Sequence, residues 1–238
     1  MPKPPTPNRI ENLTKDDLAR DVFHHINKRS ANPIPMVSKE EREASLERIL
    51  AQGDLDRGVY LFAYGSLIWN PCFDFAGEPR IGTVYGYSRR FCIWGKLGRG
   101  TPEKPGLLPA LDRGGSCRGV LYHIAPHAVR SELRTVWRRE MNDVTYLARW
   151  VTVHCGRRPF KAITFVANRA CEDYAPPMPL RAMAEVIASA EGVLGPCAEY
   201  LYAMRRHLAA LGIPDPSIES LCRQVAPLRP DLRDDGHS

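Results

Sequence analysis

The residue best suited to chemistry in this sequence is Glu140, which lies in a segment with helical periodicity. In residues 126–141 the apolar side chains recur at steps of three and four, and Glu140 falls on the same stripe as Val136 and Trp137. The pattern predicts a carboxylate that points toward the core at the end of a helix. Burial and the negative end of the helix dipole both raise the pKa of a carboxyl group, which suits it to proton transfer.

A structural role for Glu140 is the alternative. A glutamate at the edge of a core is often paired with an arginine, and three arginines lie close to it in the sequence: Arg138, Arg139 and Arg149. On periodicity alone, the acid/base role and the ion-pair role both stay open.

A second candidate site is the turn Tyr64-Gly65-Ser66-Leu67, which ends a predicted strand at residues 59–64. Such a turn exposes several backbone N–H groups that bind a carboxylate or a developing oxyanion, and glycine lets a ligand approach the backbone closely. A simple exit from the strand is the alternative. Ser66 is not predicted to be a nucleophile, because the G-x-S-x-G motif is absent.

Two glycine-rich segments lie between predicted strands. Residues 99–106 contain two glycines and two prolines, which predicts a surface loop and leaves both a lid and a solvated connector open. Residues 112–116 carry Gly114-Gly115 without the ending of a phosphate-binding loop, so they predict a hairpin turn. No histidine falls in a metal-binding spacing. We therefore expect no metal and no cofactor.

The elements that must position these residues form a small, mostly antiparallel sheet or barrel flanked by helices. Strands are predicted at 59–64, 81–87, 89–94, 107–111, 117–124, 147–154 and 161–167. Helices are predicted to begin after Thr14, to run from Ser38 to about Gln52, and to span 126–141, 179–190 and 195–211.

Composition indicates a globular protein with one main domain. The 238 residues include 33 Lys and Arg against 27 Asp and Glu, a net charge of +6, and the basic residues are scattered. This indicates a mild attraction for a small acidic substrate; no nucleic-acid motif accompanies the charge, so no nucleic-acid partner is expected.

Cysteine use and hydropathy bear on the compartment. The seven cysteines are scattered and include no C-x-x-C pair, which argues against a zinc site or a disulfide framework. Neither a signal peptide nor a run of 18 apolar residues is present. We expect a soluble, cytoplasmic protein that does not enter a membrane.

Five blocks in order resemble the ChaC-type γ-glutamylcyclotransferases. They are FAYGSLIWNP at 62–71, RGTPEKPGL at 99–107, LDRGGSCRG at 111–119, WRREM at 137–141 and GPCAEYL at 195–201. The resemblance covers roughly residues 59–224. It departs from the family at Ala63, where glycine is usual, and at 142–145, beside the expected site. Tyr146, Arg149 and Trp150 still match.

The resemblance implies an α+β fold, a small closed barrel with flanking helices, and an enzyme that cyclises the γ-glutamyl group of glutathione to 5-oxoproline and releases Cys-Gly. It implies Glu140 as the acid/base. The implied substrate-binding residues are Leu61, Phe62, Ala63, Tyr64, Gly65, Ser66, Leu67, Arg99, Glu103, Tyr146 and Tyr200. Two alternatives stay open: a cyclotransferase for other γ-glutamyl amino acids or amines, and a non-catalytic γ-glutamyl-binding regulator.

The expected domain organisation has three parts. Residues 1–57 form a proline-rich arm followed by a helical extension, 58–226 form the γ-glutamylcyclotransferase domain, and 227–238 form a disordered tail. The role of the extension is not indicated by the sequence. We expect a monomer or a weak dimer.

Overall fold

Five β-strands close into a barrel in the computed structural model, which describes residues 13–232. The strands are β1 (Val59–Ala63), β2 (Arg80–Gly95), β3 (Gly106–Ile124), β4 (Tyr146–Cys155) and β5 (Arg158–Ala167). Their order around the barrel is β1-β3-β2-β4-β5. Strand β5 pairs in parallel with β1 and with one residue of β3, and the other pairs are antiparallel. The predicted α+β class and mixed, mostly antiparallel barrel are confirmed.

The number of barrel strands was predicted wrongly. The strands expected at 81–87 and 89–94 are one strand, β2, and those at 107–111 and 117–124 are parts of β3. The expected hairpin turn at Gly114-Gly115 is a β-bulge, because β2 pairs with β3 on both sides of it. Both glycines have positive φ, which kinks the strand without reversing the chain.

Seven α-helices flank the barrel within the described residues. They are α1 (Lys15–Ala19), α2 (Val22–Arg29), α3 (Lys39–Leu50), α4 (Val129–Glu140), α5 (Leu180–Ser189), α6 (Cys197–Ala210) and α7 (Pro216–Val225). Capping boxes begin α1 at Thr14 and α3 at Ser38, as their sequences predict. The sequence did not predict α2 as a separate helix or α7.

Helix α4 shares the main hydrophobic core with the barrel strands and carries Glu140 as its last residue. Leu133, Val136 and Trp137 are buried on the predicted face of this helix. The Trp137 ring meets Phe165 of β5 edge to face, with 5.2 Å between ring centroids. This packing sets the position of the last turn of α4, and therefore of Glu140.

The extension before β1 is attached to the barrel by specific contacts. The indole of Trp150 on β4 donates to the carbonyl of Ile49 on α3 at 2.8 Å. Near the start of the extension, Lys15 forms an ion pair with the buried Glu132 of α4 at 2.7 Å. These contacts dock α1 and α3 against the same helix and strand that frame Glu140.

The predicted N-terminal arm and part of the predicted C-terminal tail lie outside the described residues. The proline-rich arm at 1–10 lies outside the described residues, as do residues 233–238. Residues Pro230–Leu232 form a short 3-10 helix. The proposed domain boundaries stay a prediction. Between residues 13 and 232, no helix combines the length and the apolar character needed to cross a bilayer.

Candidate active site

A cavity opens where β1 ends, beside the end of α4. Its volume is about 150 Å³, which leaves room for a small ligand or for part of a larger one. Charged side chains of both signs line it, three cationic and three anionic: Lys96, Arg99, Arg139, Glu140, Asp143 and Asp173. A ligand that carries both ammonium and carboxylate groups would suit these walls.

Glu140 reaches the cavity from the last turn of α4, and its side chain is 17 % exposed. Burial raises the pKa of its carboxyl group above the ordinary value of 4.5, the positive charge of Arg139 lowers it, and the negative charge of Asp143 raises it further. The net direction is upward. A carboxylate with a raised pKa is a stronger base, as the sequence predicted.

Arg139 connects Glu140 to the turn after β1. Its Nη2 donates to Oγ of Ser66 at 2.7 Å, and its Nη1 donates to the carbonyl of Asn70. Its Nε lies 3.3 Å from Oε1 of Glu140. Of the three arginines that the sequence offered as partners, Arg139 is the one that pairs with Glu140. The ion-pair role and a site role therefore coexist.

Asp143 adds a second carboxylate close to Glu140. Its Oδ1 accepts hydrogen bonds from the backbone N–H and the hydroxyl of Thr145, at 2.9 and 2.5 Å. Burial raises the pKa of Asp143 despite these hydrogen bonds. Both Asp143 and Thr145 belong to the stretch in which this chain departs from the family pattern, so that departure changes the charge of the cavity.

Three tyrosines line the cavity around Glu140. Burial raises the pKa of Tyr200 to about 12 and the pKa values of Tyr64 and Tyr146 well above 10, and the charge of Glu140 raises all three. They therefore stay protonated at neutral pH. The hydroxyl of Tyr146 donates its proton to the carbonyl of Pro109 at 3.1 Å. The hydroxyl of Tyr200 lies against Gly65, since a Cβ at that glycine would be 3.3 Å from it.

Residues 64–67 line the cavity at the end of β1. After Gly65 the chain enters a short 3-10 helix, Ser66–Ile68. The first N–H groups of a helix lack acceptors within the helix and so tend to bind a ligand or water. The turn predicted from the sequence lies in the same cavity as Glu140.

Most of the predicted substrate-binding residues line this cavity together with Glu140. They are Phe62, Ala63, Tyr64, Gly65, Ser66, Leu67, Arg99, Tyr146 and Tyr200. Leu61 is not among the residues that line the cavity. It shares a face of β1 with Ala63 but lies two residues further from the end of the strand, fully buried in the core.

The loop at 99–106 contains two of the predicted substrate-binding residues, and one of them lines the cavity. Arg99 is buried, and its Nη1 donates to Glu199 and to the carbonyl of Pro196 at 2.9 and 3.0 Å. Glu103 is outside the cavity lining and accepts a hydrogen bond from Asn32 of the extension. The lid role of this loop stays a prediction.

Sequence reasoning missed part of the cavity wall. Leu13, Phe23 and Ile34 come from the extension, for which the family resemblance offered no guide. Lys96 and Asp173 also line it, and their side chains form an ion pair at 2.5 Å. The unusual residues at 142–145 were the one signal that pointed to Asp143.

No metal site is evident in the described part of the chain, where the His, Cys, Asp and Glu side chains form no group of three or more that could hold an ion. The groups that this chain presents to the cavity are carboxylates, tyrosine hydroxyls, arginine guanidinium groups, a lysine ammonium and backbone N–H groups. These groups can bind charged ligands and move protons.

Curated relatives cover most of the chain. A glutathione-specific gamma-glutamylcyclotransferase of Escherichia coli is 36 % identical over 200 residues, which cover 84 % of this chain and 86 % of the relative. The glutathione-specific gamma-glutamylcyclotransferase 1 of Mus musculus is 31 % identical, with 75 % of this chain and 83 % of the relative covered.

The fold is also that of a solved structure. A yeast gamma-glutamyl cyclotransferase described as specific to glutathione superposes with a TM-score of 0.67 at 21 % sequence identity, covering 74 % of this chain and 99 % of the yeast chain. The pattern of the family described as ChaC-like protein matches residues 59–228. The resemblance seen in the sequence is confirmed, and the chain belongs to the ChaC-like protein family.

Proposed function

We propose that this chain is a γ-glutamylcyclotransferase that acts on glutathione and releases 5-oxoproline and Cys-Gly. The observation that carries the proposal is the carboxylate of Glu140, which has a raised pKa and lies in one cavity with the Tyr64–Leu67 turn. The Escherichia coli and mouse relatives are glutathione-specific gamma-glutamylcyclotransferases, which supports glutathione as the substrate.

The reaction is an internal displacement. The α-amine of the γ-glutamyl group attacks its own γ-carbonyl carbon, which forms the new C–N bond of a five-membered ring. The amide bond to cysteine then breaks, and its nitrogen leaves as the amine of Cys-Gly. Attack requires a neutral amine, whereas an α-ammonium loses its proton near pH 8 in water. A base in the cavity therefore speeds the reaction.

Glu140 is assigned this proton transfer. It takes one proton from the α-ammonium so that the amine can attack, and the attacking nitrogen gives up a second proton as the lactam forms. Glu140 delivers both protons to the leaving nitrogen, which departs as the ammonium of Cys-Gly, so no proton is consumed overall. Its raised pKa narrows the gap to the pKa of the ammonium and makes removal of the proton easier. Holding the amine close to the carbonyl lowers the entropy lost on the way to the ring.

The turn after β1 is assigned to binding. Backbone N–H groups from Tyr64 to Leu67 hold the substrate carboxylate or the oxyanion that develops on the γ-carbonyl. The hydroxyl of Tyr200 stays protonated and adds a donor beside this turn. Both signs of charge in the cavity match glutathione, which carries one ammonium and two carboxylates.

The test is direct. Purified protein is incubated with glutathione, and 5-oxoproline and Cys-Gly are followed by mass spectrometry. Glu140→Gln is expected to lose roughly 10²- to 10⁴-fold in kcat/KM while it stays folded. Glu132→Gln is the matched control, because Glu132 is a buried carboxylate of the same helix outside the cavity lining, and its rate is expected to stay close to that of the wild type.

Each alternative has its own outcome. Near-full activity of Glu140→Gln would remove this residue from the mechanism. If the folded wild type leaves glutathione intact, a panel of γ-glutamyl amino acids and γ-glutamylamines follows. Turnover of one of these would redefine the substrate, and ligand binding without turnover would indicate a non-catalytic protein. The expected monomer or weak dimer and the cytoplasmic location stay predictions.

A further inference from the structure

The extension that precedes the family-matched region supplies part of the cavity wall. Phe23 from α2 and Ile34 from the segment after it both line the cavity that contains Glu140. Both side chains are half-buried and apolar. They lie outside residues 59–228, so the shared family pattern does not account for their presence.

Asn27 holds these two residues in a defined position. Its Nδ2 donates to the carbonyl of Ile34 at 2.8 Å, and the N–H of Ile34 donates back to its Oδ1 at 2.9 Å. Asn27 is itself buried. Phe23 lies one helical turn before Asn27, and therefore on the same face of α2. The paired hydrogen bonds fix Ile34 against the face that carries Phe23.

The extension is also tied to the segment that follows Glu140. Arg42, whose side chain is 4 % exposed, pairs with Asp21 at 2.6 Å and donates to the side chain of Asn142 at 3.2 Å. The N–H of Val37 donates to the carbonyl of Asn142 at 2.8 Å. Asn142 lies two residues after Glu140. These contacts fix the position of the extension relative to the segment that follows Glu140.

Core packing does not explain Phe23 and Ile34. Neither residue belongs to the hydrophobic clusters of the described chain, nor to the half-buried residues packed against them. When a ligand covers apolar surface that faces a cavity, that surface is removed from water, and this favours binding. Phe23 and Ile34 therefore offer an apolar surface to the part of the substrate that reaches them.

We propose that Phe23 and Ile34 are specificity-determining residues that limit the size of the group attached to the γ-glutamyl moiety. This inference rests on the proposed function. The scissile carbonyl must lie beside Glu140 and the Tyr64–Leu67 turn, so the apolar wall of the extension meets the leaving group. The short side chain of cysteine fits such a wall, and glutathione with a bulky group on sulfur does not.

The experiment compares glutathione with S-hexylglutathione as substrates of the full chain. The measured quantity is the discrimination ratio, kcat/KM for glutathione divided by kcat/KM for S-hexylglutathione. The wild type is expected to favour glutathione strongly. In Phe23→Ala and in Ile34→Ala the ratio is expected to fall about 10-fold or more, because apolar pockets discriminate by roughly 10- to 200-fold per methylene. Phe23→Leu, a milder change, is expected to give a smaller fall.

Leu18→Ala is the matched control. Leu18 is buried in α1 of the same extension and does not line the cavity, so this variant loosens the extension without removing the wall. Its ratio is expected to stay close to that of the wild type. An equal fall in Leu18→Ala would overturn the proposal, and so would a wild type that accepts both substrates equally, or unchanged ratios in Phe23→Ala and Ile34→Ala. Failure of the wild type on glutathione itself would instead refute the proposed function.

Discussion

Oε1 of Glu140 lies 3.3 Å from Nε of Arg139, the residue that precedes it in the chain. The contact is made at the end of α4, where Glu140 is the last helical residue. Arg139 in turn holds Ser66 and Asn70 after β1. One guanidinium therefore sets the position of the carboxylate relative to the binding turn and stabilises its charge.

The acidic limb of the pH–rate profile is expected to follow the ionisation of the carboxyl group of Glu140. The carboxylate must be ionised to accept a proton, so kcat/KM for glutathione should rise with pH through a pKa above the ordinary 4.5. Asp143→Asn removes a negative charge that raises this pKa, so the limb should move to lower pH. A profile of kcat/KM against pH for both proteins measures the shift. A limb that stays in place or moves upward would contradict the assignment.

Arg139 is expected to shift the same limb in the opposite direction. Its positive charge lowers the pKa of Glu140, so Arg139→Met should move the limb to higher pH and reduce kcat. Arg139→Lys keeps the charge and should keep the limb near its wild-type position. The ammonium lacks the planar fork that reaches both Ser66 and Asn70, so kcat should still fall. Identical pH profiles for the two variants would argue against an electrostatic role.

The stability of the protein should also reflect Glu140. The pKa of Glu140 is higher in the folded protein than in the unfolded chain. As pH rises above about 4.5, the unfolded chain therefore loses this proton first, and the free energy of unfolding falls. The fall ends once the pH exceeds the folded pKa. Glu140→Gln removes this fall. We expect its Tm to exceed that of the wild type near neutral pH and the difference to vanish near pH 4.

Thermal unfolding at both pH values checks this prediction, with Glu132→Gln as the comparison. Glu132 pairs with Lys15 at 2.7 Å, so its replacement should lower Tm at neutral pH. A Glu140→Gln protein that is less stable than the wild type near neutral pH would show that Glu140 is a stabilising ion-pair residue.

Replacing Gly65 with alanine is expected to leave the backbone conformation unchanged but to crowd a neighbouring side chain. The φ of Gly65 is −123°, which any residue adopts, whereas a Cβ would lie 3.3 Å from the Tyr200 hydroxyl. Gly65→Ala should raise KM for glutathione several-fold with little loss of Tm. In a Tyr200→Phe background the same change should matter less, because the crowded oxygen is gone. Steady-state kinetics of the wild type, the two single variants and the double variant measure the change in KM. An equal rise in KM in both backgrounds would show that crowding of the Tyr200 hydroxyl is not the cause.

Local patterns were enough to predict several parts of the site. Glu140 was placed at the end of a helix because apolar side chains at steps of three and four define one face of α4, and this face is buried in the structure. The turn at Gly65 follows directly from a run of strand-forming residues. The capping boxes at Thr14 and Ser38 are confirmed because their hydrogen bonds involve residues only three apart.

Long-range contacts decided what these patterns could not. Strand β3 continues through Gly114 and Gly115 because it pairs with β2 on both sides of the bulge, which no local signal reveals. The choice of Arg139 over Arg138 and Arg149 depends on acceptors about 70 residues away in the chain.

Local patterns in the sequence predict the barrel class, the helix that carries the acid/base group and the turn that faces it, because these depend on periodicity and on neighbours a few residues apart. The residues that close the cavity are instead set by tertiary contacts. Phe23, Ile34 and Asp173 line the same cavity as Glu140 although they lie far from it in the sequence, and their positions follow from closing the barrel and docking the extension. Such contacts depend on the whole chain having folded, so no local pattern encodes them.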